Sequence, residues 1–106
     1  MGKLKTRKVM LSTLQAHVRI ALDSQLPFHA TWEKKDGSIR GANILVYCMS
    51  KVDDNGNIKV SNLDIHSGKD SHANGSTSPF TLINWNNFIA IQYKNYEGEE
   101  IKYILK

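Results

Sequence analysis

Apolar and polar residues alternate most cleanly from Phe28 to Glu33, where Phe28, Ala30 and Trp32 interleave with His29, Thr31 and Glu33. That is the period of a strand with one buried face. Lys35-Asp36-Gly37-Ser38 follows, and Asp-Gly marks a hairpin because Gly37 takes positive φ without steric cost. A two-residue turn over Asp36 and Gly37 sets Glu33 opposite Arg40. A three-residue turn with Gly37 in a bulge moves the pairing by one. The return strand starts at Ile39 and enters the unbroken apolar run at 44–49. Such a run predicts a strand covered on both faces and central to its sheet.

Before the hairpin the period changes. Leu14, Val18, Ala21 and Leu22 recur at helical spacing and predict one apolar stripe on a helix over about 13–24, with His17 and Arg19 off it. Ser12 is placed to cap it, and Gln15 to complete a capping box. Pro27 ends it, since the residue before proline avoids the α region.

After the hairpin, Asp53-Asp54-Asn55-Gly56-Asn57 predicts a second turn. Ile58, Val60, Leu63 and Ile65 mark another strand, with a bulge or bend near Asn62. Residues 66–79 are Ser-, Gly-, Asn- and His-rich and predict a long polar loop; loops of that length in small domains usually carry function or mobility. Strands then resume at Phe80 and Leu82, at Phe88 to Tyr93, and at Glu100 to Leu105. A polar corner, Asn84-Trp85-Asn86-Asn87, and a turn at Asn95-Tyr96-Glu97-Gly98 separate them.

One helix followed by five or six short strands predicts a mainly β (α+β) domain: the helix packed on a strongly bent antiparallel sheet, curled into a small SH3-like barrel. The leading amphipathic helix followed by KKDGSIR at 34–40 resembles the small SH3-like β-barrel proteins of unknown function from bacteriophages and mobile elements. The segment FTLINWNNFIAIQY at 80–93 resembles the strand–corner–strand end of such barrels. The resemblance implies a phage-type accessory protein in the host cytoplasm, engaging and modulating a host macromolecule such as a defence or gene-expression factor. The loop at 66–79 is not part of that pattern.

The 106 residues suffice for one domain. The single cysteine, Cys48, cannot form an internal disulfide, which fits a reducing cytoplasm; its apolar strand makes it an inert core thiol. No apolar run approaches the roughly 18 residues of a transmembrane helix, so no membrane partner is expected. Charge is unevenly placed. Lys3, Lys5, Arg7, Lys8 and Arg19 precede any acid, so the first 22 residues carry +5 of a net +4, and the rest carries −1. Residues 1–10 therefore read as a basic arm, most simply a solvated and disordered terminus, on a domain at 11–106.

Candidate chemistry is sparse. His66, Asp70 and His72 have no standard metal-ligand spacing, and Lys69 with its neighbouring glycines lacks a phosphate-loop pattern. A polar loop accounts for all four. No acid, base and nucleophile stand in a recognisable arrangement. The sequence thus favours a non-enzymatic binding module without cofactor. A host protein is its first expected partner, gripped through Trp85, Tyr96 and the loop residues His66, Lys69, Asp70 and His72. The alternative is a small nucleic-acid-binding barrel using Lys3, Lys5, Arg7, Lys8 and Arg19 with aromatics stacking on bases. A further alternative is an enzyme or metal site in the 66–79 loop. The sequence sets no oligomeric state.

Overall fold

The computed structural model describes residues 4–44, 51–62, 80–95 and 97–106. The expectations that fall on Lys3, Cys48, Leu63, Ile65, His66, Lys69, Asp70, His72 and Tyr96 lie outside them.

The chain order is β1 (Lys5–Val9), α1 (Leu11–Asp23), β2 (Phe28–Glu33), β3 (Ile39–Ile44), β4 (Asn57–Ser61), β5 (Phe80–Asn84), a 3-10 turn (Trp85–Asn87), β6 (Phe88–Lys94) and β7 (Glu100–Leu105). Five strands form one sheet in the order β1-β7-β6-β2-β3, and β4 and β5 form a second. The architecture is mainly β with one helix packed on a mixed sheet. The expected all-antiparallel sheet is corrected by β1, which runs parallel to β7 with Lys5 opposite Ile101 and Val9 opposite Leu105. Among the described residues the two sheets do not close into a barrel. They meet through an isolated bridge between Ile44 and Asn62.

Residues 5–9 are therefore a strand and not a disordered arm. A second correction concerns β3. Its described residues hold the outer position next to β2, while β6 is central.

The helix buries Leu14, Val18, Ala21 and Leu22, the stripe expected from their spacing. It begins two residues earlier than expected, with Met10 at the N-cap and no side-chain cap. Gln15 does not close a capping box. Its amide instead donates to the Trp85 carbonyl at 2.9 Å and to Asn86 Oδ1 at 3.3 Å, tying the first turns to the corner before β6. The helix ends before Pro27 acts. Gln25 takes a left-handed φ of 55°, its N–H donates to the Leu22 carbonyl, and the Leu26 N–H donates to the Ala21 carbonyl. That is a Schellman ending, with glutamine where glycine is usual.

Phe28, Ala30 and Trp32 point inward along β2, as the alternation predicts. The hairpin adopts the three-residue form. The Lys34 N–H donates to the Ser38 carbonyl and the Gly37 N–H to the Lys34 carbonyl, so Glu33 pairs with Ile39 and Trp32 with Arg40. Gly37 has φ 86°.

The same turn occurs twice more. Asp53 and Asn57 close one around Gly56, and Asn95 and Glu99 close another around Gly98. In both, the first residue's side-chain oxygen accepts two backbone N–H groups further on. Asp and Asn suit that position because their short side chains reach their own backbone.

One core serves both sheets. Phe88, Ile91 and Tyr93 of β6 pack with α1 and β2, and Ile58, Val60 and Ile83 extend the same cluster into the second sheet. The irregularity expected near Asn62 coincides with burial: Asn62 is fully buried and donates to Thr81 Oγ1 at 3.1 Å.

Candidate binding surface

The basic residues of the N-terminus are placed by β-pairing. In β1, residues 5–8 are all exposed and only Val9 is partly buried, against the core. Val9 thus fixes the faces. Lys5, Arg7 and Val9 lie on the side of the helix, and Thr6 and Lys8 on the opposite side. Lys5 Nζ lies 2.7 Å from Glu99 Oε2. That contact and the nearby charge of Arg7 hold the Glu99 carboxyl below its ordinary range. No acid pairs with Lys8 among the described residues.

Across the face away from the helix, strand register sets Thr6 beside Lys102, Lys102 beside Gln92, Gln92 beside His29, and His29 beside Asn43. A shallow groove of about 400 Å³ lies there, lined from Glu100 and Lys102 of β7 across Gln92 and Lys94 of β6 to His29 of β2 and Asn43 of β3, with Pro27 level with Lys94. Gln92 Nε2 donates to Glu100 Oε1 at 3.0 Å. The His29 ring lies over Gly41, close enough that a Cβ there would stand 3.1 Å from the imidazole. Lys8, Lys94 and Lys102 make this part of the face predominantly cationic.

The other expected site residues are more engaged than the sequence suggests. Trp85 is partly buried, edge-to-face with Phe88 at 5.8 Å. The Arg19 guanidinium sits 5.3 Å from the Trp85 ring centroid, and Arg19 also pairs with Asp23 at 3.6 Å. One face of the indole is therefore covered by the cation that was expected to meet phosphate. Trp32, Phe28, Phe88, Tyr93 and Tyr103 are buried, so among the described residues no aromatic face lies open beside β1.

A cluster that sequence reasoning missed lies under this surface. His17 stacks on Tyr103 with ring centroids 3.7 Å apart, and its Nδ1 is 3.0 Å from the Tyr93 hydroxyl. Burial lowers the His17 pKa and raises that of Tyr93. The helical period places His17 beside the apolar stripe; its partners come from strands far along the chain, and no local signal names them.

Among the described residues, no three His, Cys, Asp or Glu side chains converge as metal ligands would, and no helix is long and apolar enough to cross a membrane. The basic edge strand and the groove beside it are the surface on which a binding reading rests. Comparison with protein-family models, with curated proteins and with solved structures finds no match for the chain.

Proposed function

We propose that the chain is a non-enzymatic binding module that engages an acidic protein partner through β1 and the adjoining faces of β7 and β6. The observation carrying this reading is that Lys5, Arg7 and Lys8 stand on a paired strand at a sheet edge, all exposed. Cations held on a regular strand lose less freedom on binding than the same residues on a loose arm. Complementary charge also steers encounter and selects against basic partners. The resemblance of residues 34–40 to phage proteins makes a host factor the first partner to seek, and the bridge between Ile44 and Asn62 supports reading the two sheets as a small barrel-like unit.

Nucleic acid is the competing partner, on the strength of the same cations. The covered aromatics weigh against base stacking, so a nucleic-acid mode would rest on phosphate contacts alone. Three such contacts give a slope of log K against log salt of about −2.7 on a duplex. The deciding measurement compares an acidic peptide with a generic duplex, each titrated across salt, for the intact chain and for Arg7→Gln with Lys8→Gln. Deleting the N-terminal residues would not serve, because it removes a strand. The proposal expects the acidic peptide to bind and to weaken about tenfold in the double variant. Duplex binding at that slope with no peptide binding would transfer the function to nucleic acid. Peptide binding indifferent to both substitutions would remove β1 from it.

A further inference from the structure

The position of β1 in the sheet specifies how a partner can attach. In a parallel ladder both backbone groups of one residue point to one neighbour, and those of the next residue point away. The Lys106 N–H donates to the Val9 carbonyl at 2.9 Å, so Val9 points toward β7, and with it Arg7 and Lys5. Thr6 and Lys8 therefore direct their N–H and C=O groups outward. β1 ends the strand order, and among the described residues nothing pairs with that side.

We infer that β1 is a strand-addition site for an extended acidic segment of a partner protein, which pairs with the outward backbone groups of Thr6 and Lys8 and extends the sheet by one strand. The inference rests on the binding role proposed above and adds its geometry. Backbone pairing at a sheet edge supplies affinity, and side chains on alternate faces supply selection. Here both faces select for acid: Lys8 flanks the added strand on one side, and Lys5 and Arg7 flank it on the other. The same charges argue against a second copy of the chain as occupant. Pairing β1 with another β1 would bring Lys5, Arg7 and Lys8 against their equivalents, and like charges on facing strands are unfavourable.

The test separates backbone pairing from charge attraction. Proline removes an N–H and is tolerated on edge strands where that N–H faces solvent. Thr6→Pro deletes an outward donor while leaving every cation and the donors directed at β7 in place. The probe is an acetylated, fluorescent peptide of about ten residues alternating Glu and Thr. Its binding is followed by anisotropy, beside a copy N-methylated at every residue, which leaves neither edge of the peptide a donor. Strand addition expects Thr6→Pro to weaken the peptide about tenfold. It expects the N-methylated peptide to bind the unmodified protein more weakly by at least as much, which holds the test open should the proline variant fail to fold. Equal binding of the two peptides would overturn strand addition; if Lys8→Gln still weakened both, the charge-based role would survive it. Concentration-dependent self-association of the intact chain, abolished by Thr6→Pro, would name a second copy as occupant and overturn the acidic segment.

Discussion

The five-stranded sheet has two outer strands built on opposite principles. β3 alternates: Ala42 and Ile44 are fully buried while Gly41 and Asn43 are exposed, and its last residue bridges to Asn62 and so to the second sheet. β1 does not alternate. Its sequence, Lys-Thr-Arg-Lys-Val, leaves four residues exposed, and it runs parallel to its neighbour. β3 is held by what it buries. β1 is held by backbone pairing and by Val9. The contrast teaches that position at a sheet edge does not fix a strand's role: one edge is consumed by the fold, and the other, among the described residues, pairs with nothing on its outer side.

The largest effect expected from this contrast falls on β3. Ile44→Ala removes a fully buried side chain where the two sheets meet and should cost about 2–5 kcal/mol, read as a drop in the denaturation midpoint. Lys8→Ala on β1 should leave the midpoint unchanged. Equal losses at both sites would erase the distinction.

A smaller effect is expected at the turn that launches β3. Gly37 has φ 86°, and Gly37→Val would force a β-branched residue into the left-handed region at a cost of roughly 1–3 kcal/mol. A midpoint like that of the parent would show that the turn relaxes to another form.

The smallest effect concerns the ground beneath β1, where His17 stacks on Tyr103. Burial lowers the folded-state pKa of His17 below its ordinary value of 6.5. The unfolded chain therefore takes up that proton more readily, and acid favours unfolding. The stability at stake is whole above the usual histidine range and is lost as pH falls through it to the lowered folded value. The denaturation midpoint of the parent should thus fall as pH drops through the ordinary histidine range and below it, and His17→Gln should flatten that slope. Parallel slopes for the two proteins would assign the pH dependence elsewhere.

The helix stripe, the inward face of β2, the turns with Gly37, Gly56 and Gly98, and strands β5 to β7 were legible because each is a local pattern. The hairpin register was legible only as two options, since Asp-Gly serves turns of either length. β1 was not legible. An edge strand exposed along most of its length carries no alternation, and its partner β7 lies at the far end of the chain. The apolar run beginning at Ile44 suggested a central strand because covered faces were equated with a middle position. The described part of β3 instead buries one face and lies at the sheet's outer edge. The basic surface was half legible. Its charges stood out in the sequence, but their mounting on a strand depends on pairing that no short stretch encodes. The pairing of Arg19 with Trp85 was hidden for the same reason.

The pairing of β1 with β7 also orders events during synthesis. Lys5 and its partner Glu99 are 94 positions apart. A ribosome adding about 5–20 residues per second needs roughly 5–20 seconds to cover that distance. Through that interval the nascent β1 has no strand to join, while α1, β2 and β3 can already assemble from contacts close in sequence. An apolar segment waiting so long would be an aggregation hazard. Lys-Thr-Arg-Lys is not, because its repeated charge repels other copies of itself. The charged residues that line this strand in the finished fold are the same ones that keep it safe while it waits.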